Sequence, residues 1–185
     1  MKRKLSALTP PQVAQRSREA CRKLMERPEF HDAGAVMLYM PLPGEVDTAE
    51  LALTAWQQQK TVLLPKVSWE QRHMMAVKCL SFEDEFSVGR HGIREPAAGE
   101  PWPVARIDLV VVPALAYDRT GHRLGHGAGF YDRFLSLPEL HAAACGLAFD
   151  EQVVEEVPVH DHDCPLDFLV TDKEVLTFPP RIGRR

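Results

Sequence analysis

The stretch Leu109-Val-Val-Val-Pro-Ala-Leu-Ala-Tyr117 runs without a charged side chain. Pro113 interrupts it, and it falls far short of the roughly 20 apolar residues that cross a bilayer. It reads as a buried strand with its continuation. Ile107-Asp-Leu-Val-Val-Val112 and the run AVMLYM at 35–40 are apolar on both faces. A strand with one wet face would alternate, so such runs belong at the centre of a parallel sheet covered on both sides.

The rest of the chain supplies the covers. Thr9-Pro-Pro-Gln12 is a capping box with proline at the first helical position, and Val13, Ser17, Ala20, Cys21 and Leu24 then share one face, predicting a helix to about Glu26. Asp47 or Thr48 caps a second helix that turns Leu51, Ala52, Ala55 and Trp56 inward. Further strands are expected at 61–67, 74–80 and 145–149, with 167–172 as the last. A short helix is expected at 130–137, and 95–103 reads as a proline-rich loop. Strands separated by helices predict one α/β domain over residues 1–185, an open, mostly parallel sheet with helices on both faces.

A formal charge of −4 argues against a broad nucleic-acid surface. Lys2-Arg3-Lys4 and Arg181, Arg184 and Arg185 make two basic ends, the second read as solvated. Cys21, Cys79, Cys145 and Cys164 form no C-x-x-C pair, and MKRKLSALTPPQV has no apolar signal core. A reduced, cytoplasmic enzyme with no membrane partner is the expectation.

Residues 120–135, TGHRLGHGAGFYDRFL, place Gly125, Gly127 and Gly129 between an arginine and a helix start, at the carboxyl edge of the sheet. Missing Cβ atoms let backbone N–H groups approach a ligand, so the stretch suits a phosphate cradle, but a tight structural turn has the same needs. It is neither a P-loop nor a dinucleotide fingerprint. Arg123 could hold phosphate through two nitrogens. Asp132 is either a favourable partner of the helix dipole or, beside phosphates, a Mg²⁺ ligand. His122 and His126 have the spacing of a helical pair, but the intervening glycines argue against a helix, and both are read as facing phosphate or solvent. The stretch HDHDC at 160–164 has zinc-type residues, yet neighbours on an extended segment point apart, and a solvated loop is the reading taken.

The string Gly121-His-Arg-Leu-Gly-His-Gly-Ala-Gly-Phe-Tyr-Asp132 resembles the signature of the 5-formyltetrahydrofolate cyclo-ligase family. FHDAGAVMLYMPLPGEVDT, TVLLPKV, GIREP at 92–96, VVVPALAYD and residues 146–172 match in order, covering nearly the whole chain. The resemblance implies ATP-dependent conversion of 5-formyltetrahydrofolate to 5,10-methenyltetrahydrofolate with Mg²⁺, releasing ADP and phosphate, in a monomer or weak homodimer. It implies an ATP loop of Arg123, Leu124, Gly125, His126, Gly127, Ala128, Gly129, Phe130 and Tyr131, with Arg123 catalytic. Lys2 and Lys4 match the later half of a basic stretch that reaches the ATP phosphates in many members. Asp132 matches the metal-binding aspartate, and Asp163 an acidic residue of the metal shell. Glu45 matches a glutamate used on the folate, Met40 is placed against the flat pterin face, and His91 stands where a folate-stacking aromatic is common. Positions 126 and 128, basic in some members, are His126 and Ala128. The resemblance also admits a folate-binding protein without efficient turnover, or a ligase for another formyl or carboxyl group, which binding and turnover measured together would separate.

Overall fold

The computed structural model describes residues 1–89, 92 and 94–179, with Lys2 and Arg3 described by backbone alone. His91 and the carboxyl-terminal arginines lie outside the described residues. The helices are α1 (Lys2–Leu5), α2 (Pro10–Met25), α3 (Pro28–His31), α4 (Ala49–Gln57) and α5 (Phe130–Leu135). The strands are β1 (Ala35–Met37), β2 (Thr61–Ser68), β3 (His73–Cys79), β4 (Phe86–Val88), β5 (Arg94–Pro96), β6 (Leu109–Val112), β7 (Ala116–Asp118), β8 (Arg123–Leu124), β9 (Ala143–Ala148), β10 (Val153–Val154), β11 (Phe168–Thr171) and β12 (Val175–Thr177).

The main sheet has the order β12-β11-β9-β6-β1-β2-β3. Its inner strands run parallel from β11 to β2, as their two-sided apolar patterns require. All four residues of β6 and of β11 are buried. Alternation sorts them between two cores: Val36, Val111, Leu147 and Phe168 meet Ala20, Leu24 and Leu51 of the helices on one face. Met37, Val110, Val112 and Leu169 meet Tyr117, Phe134 and Leu135 on the other. Deleting a ring such as Phe168, 1% exposed, costs about 3–5 kcal/mol in cores of this kind. α2 starts where Thr9 N–H donates to Gln12 Oε1 at 2.9 Å, and buries Ser17, Ala20, Cys21 and Leu24. Thr48 is the N-cap of α4, while Asp47 Oδ1 accepts from Ala49 N–H at 2.9 Å, so the two candidate caps share the task.

Several expected elements differ in detail. The strand at 74–80 is antiparallel to β2, because the four residues between β2 and β3 are too few for a parallel crossover. The strand at 167–172 is not the last: Thr171 N–H donates to the Glu174 carbonyl, and the chain turns back into β12. Part of the proline-rich loop is β5, paired antiparallel with β4. The helix at 130–137 stops at Leu135. A small sheet, β10-β7-β8, stands apart from the main one. No helix of the described residues is long and apolar enough to cross a membrane.

From β1 the chain moves outward to β2 and β3, then returns to β6 on the other side of β1 and continues outward through β9 and β11. The order therefore reverses between β1 and β6. At such a switch point the loops leaving the two carboxyl ends diverge and open a crevice.

Candidate active site

Two segments line that crevice, one following β1 and one following β6. After β1 the chain turns at Pro41–Glu45. Tyr39 Oη donates to the Val46 carbonyl at 2.9 Å and Thr48 Oγ1 to the Tyr39 carbonyl at 2.8 Å, fixing the turn at both ends. Leu42 N–H donates to Glu45 Oε2 at 2.8 Å, which holds the carboxylate inward. Gly44 has φ +92°, and a Cβ there would lie 3.4 Å from Leu5 Cβ. The amino-terminal helix α1 thus packs on this turn through buried Leu5. Lys4 is exposed on α1, and no bond joins it to residues 123–132 among the described residues. Met40 is half-buried against the core.

Glu45 is 10% exposed, and burial pushes its carboxyl up to about 7, opposed by the bond from Leu42 N–H. Burial also raises the phenols of Tyr39, Tyr117 and Tyr131, and in each the Glu45 charge is the next cause. A buried carboxylate with a single backbone N–H donor has few ways to stabilise its charge.

After β6 the chain forms β7, a tight turn and β8. Asp118 Oδ1 fastens the turn by accepting from Thr120 N–H, Thr120 Oγ1 and His122 N–H at 2.9, 2.7 and 3.0 Å. These bonds, the Thr120 hydroxyl foremost among them, outweigh burial and lower the Asp118 carboxyl from its ordinary value. The glycines then divide by surroundings. A Cβ on Gly121, at φ +97°, would sit 2.9 Å from the Phe178 ring, a packing need. At Gly125 and Gly127 a Cβ would meet nothing within 4 Å, although Gly127 has φ +87°. Gly129, at φ +64°, is the N-cap of α5. The middle of the loop is therefore open to solvent in front of a backbone that tolerates close approach.

Arg123 points the other way. Its side chain is 5% exposed, with Nη2 donating to Asp132 Oδ1 at 2.6 Å and Nη1 to the Cys164 carbonyl at 2.5 Å. Cys164 N–H reaches the same Asp132 oxygen at 3.3 Å. Asp132, 26% exposed, is thus held in the first turn of α5 between a guanidinium and the loop at 160–166. Asp163 Oδ2 accepts from His160 N–H at 2.8 Å, closing the HDHDC turn on itself. Among the described residues no three His, Cys, Asp or Glu side chains converge as metal ligands. A single carboxylate in the first turn of the helix that follows the open glycine loop still fits Mg²⁺, which commonly takes one or two carboxylates and fills its shell with phosphate oxygens and water.

The two segments meet. His126 Nε2 lies 3.7 Å from Glu45 Oε1, the histidine about half exposed. Beyond it a cleft of about 330 Å³ is lined by Trp69, Arg72, His126, Gly127, Ala128 and Phe130. Trp69 packs edge-to-face on Phe130, centroids 4.9 Å apart. Of the residues singled out in the sequence, Glu45 and His126 come together, as do Arg123 and Asp132, and Phe130 lines the cleft. Leu124 is exposed on β8 and Tyr131 half-buried beside Glu45's field. The side chain of Lys2 and all of His91 fall outside the described residues. Trp69 and Arg72 were not singled out in the sequence: they lie on the hairpin between β2 and β3, which meets the glycine loop only in the folded chain.

A model of the 5-formyltetrahydrofolate cyclo-ligase family matches residues 1–172. The chain is 33% identical over 177 residues to the 5-formyltetrahydrofolate cyclo-ligase of Escherichia coli K12, covering 91% of this chain and 94% of that one. It is 26% identical to the mouse enzyme of the same name, over 90% of this chain and 87% of the relative. The solution structure of Aquifex aeolicus 5,10-methenyltetrahydrofolate synthetase is similar with a TM-score of 0.82 and 33% identity, over 99% of this chain and 90% of that one.

Proposed function

The chain belongs to the 5-formyltetrahydrofolate cyclo-ligase family, and from that premise we propose how its crevice carries the family's ATP-dependent conversion of 5-formyltetrahydrofolate to 5,10-methenyltetrahydrofolate. The observation that carries the proposal is the approach of Glu45 to His126, 3.7 Å across the switch point. It brings a carboxylate suited to the donor-rich edge of a pterin next to a loop suited to phosphates.

The chemistry needs that proximity. A formamide oxygen is a poor leaving group, so N10 cannot expel it directly. Transfer of the γ-phosphoryl group to that oxygen makes it phosphate, N10 attacks the activated carbon, and phosphate departs as the C–N ring closes. Phosphoryl transfer rests on positioning and charge neutralisation more than on covalent help. In the proposal, Gly125, Gly127 and Gly129 give backbone N–H groups to the phosphates, and Met40 and Glu45 seat the folate. Arg123 is a positioning residue: bound to Asp132 and the Cys164 carbonyl, it holds the Asp132 carboxylate at the exit of the loop. Asp132, with Asp163 on the adjoining turn, would hold Mg²⁺, which supplies charge neutralisation on the phosphate oxygens. A cytoplasmic setting and a monomer or weak homodimer complete the proposal.

The test is the absorbance of methenyltetrahydrofolate after mixing protein, Mg-ATP and 5-formyltetrahydrofolate. Product must appear only with all three, in step with ADP release. Folate binding without ADP release would support a storage protein instead.

A further inference from the structure

The glycine loop of this chain carries His126 and Ala128 but no lysine, and its arginine is turned inward onto Asp132. A polyanion lying over residues 126–128 therefore lacks a full side-chain charge from the loop itself. The hairpin between β2 and β3 brings one. Arg72 lines the 330 Å³ cleft opposite His126, Gly127 and Ala128, and no lining side chain there is acidic. It also lines the adjacent cleft of about 260 Å³ with Arg133, Phe134 and Leu137.

The backbone at Arg72 is held for this. Its φ of +50° is uncommon for a residue with a side chain. Arg133 fixes that conformation by donating from Nε to the Arg72 carbonyl at 2.8 Å and from Nη2 to the Ala128 carbonyl at 2.7 Å. One guanidinium thus ties the hairpin to the glycine loop, and the Trp69–Phe130 contact ties them a second time. Arg133 spends its donors on carbonyls, whereas the exposed Arg72 guanidinium has no carboxylate partner among the described residues.

We propose that Arg72 is the cation that binds the nucleotide phosphates over the glycine loop, a role supplied from the β2–β3 hairpin. The inference rests on reading that loop as the nucleotide site. Arginine's planar fork can meet two phosphate oxygens at once, and its backbone anchor limits the freedom lost on binding.

The experiment compares wild type with Arg72→Asn, whose asparagine tolerates the left-handed backbone, and Arg72→Lys. Binding of a non-hydrolysable ATP analogue is measured without folate, and KM for ATP and for mono- and polyglutamyl 5-formyltetrahydrofolate is measured in turnover. Arg72→Asn should weaken analogue binding and raise KM for ATP about tenfold, the scale of a lost charged hydrogen bond. Arg72→Lys should fall between, with the folate KM and the melting temperature close to wild type. Analogue affinity equal to wild type in Arg72→Asn overturns the proposal. A loss confined to the polyglutamyl substrate assigns Arg72 to the folate tail and overturns it too. A fall in melting temperature that accounts for the lost binding makes Arg72 a support of the hairpin and overturns the proposal. Wild type that binds no analogue overturns the reading of the loop together with the proposal.

Discussion

Two groups of charge sit on the carboxyl edge of one sheet and are built in opposite ways. Beyond β9 and β11, Arg16 of α2 donates from Nε to Asp172 Oδ2 at 2.7 Å and from Nη1 to Glu151 Oε1 at 2.8 Å, and lies over the Phe149 ring. Asp150 N–H adds a bond to Asp172 Oδ1 at 2.8 Å. Beyond β1 and β6, Glu45 has one backbone N–H and a histidine at 3.7 Å. In the first group charges answer one another, and the bonds from Arg16 hold the Glu151 carboxyl below its ordinary range. In the second, burial pushes a carboxyl up. A saturated ionic group fastens a helix to a sheet. An undersatisfied one keeps bonding capacity for a substrate.

The contrast breaks most readily at Arg123, which is saturated like the first group but stands in the second. If it only joins β8 to the loop at 164, Arg123→Ala should lower the melting temperature and leave the rate per folded molecule near normal. As the holder of Asp132 it should do more. Turnover per folded molecule is expected to fall about 10- to 100-fold, the scale for groups that orient a metal ligand without touching the substrate. The Mg²⁺ concentration for half-activation should rise, Arg123→Lys should recover part of both, and 5-formyltetrahydrofolate should still bind. An unchanged Mg²⁺ requirement would return Arg123 to the purely structural class.

Arg16→Ala tests the other side. Removing it strands Asp172, whose side chain is 4% exposed, beside Glu151, and breaking a buried pair in this way costs about 3 kcal/mol. Chemical denaturation should report that loss, while turnover per folded molecule stays within a factor of two or so of wild type, roughly the scatter of independent sites. A large rate loss at constant stability would mean that the two groups are coupled across the sheet edge.

This division explains what the sequence could and could not reveal. The parallel core was legible because β1 and β6 are apolar on both faces, and α2 because Thr9, Pro10 and Gln12 mark its start. Strand direction at the β3 edge was legible only through the few residues between the expected strands at 61–67 and 74–80, since residues 74–79 themselves read alike in either sense. β7, β8 and β10 are two or three residues long, too short to show a period. Glu45 and the glycine loop were legible as types at the sheet edge. The partners of Arg123 were not: Cys164 lies 41 positions away and contributes a backbone carbonyl, a group every residue has.

The two groups should also respond oppositely to pH. Glu45 has a folded value near 7, above its ordinary 4.5, so the folded chain binds its proton more tightly than the unfolded chain. Its contribution is full below about 4.5 and is lost as pH rises to 7, a change of roughly 3 kcal/mol by linkage. Glu151 is lowered, so its contribution is present above the unfolded value and lost as pH falls through the folded one. Glu45→Gln should flatten the stability curve between pH 4.5 and 7 and leave the acid limb intact. A curve unchanged in that window would mean that Glu45 is solvated in the free protein.

The smallest effect separates the glycines, and with them close packing from close approach of a ligand. Gly121→Ala would press a methyl into Phe178 and the Leu166 carbonyl, so its failure would say nothing about function. Gly127→Ala meets no atom within 4 Å, and its direct cost is the left-handed backbone at φ +87°, about 1 kcal/mol. If the loop merely turns, that modest loss of stability is the whole result, and KM for ATP is untouched. If phosphates lie against the backbone at 127, the methyl stands in their place, and KM for ATP should rise several-fold beyond what the stability change accounts for. Gly125→Ala sharpens the measurement, because Gly125 is equally open but needs no positive φ. There the strain disappears from the comparison, and any rise in KM for ATP reports ligand contact alone.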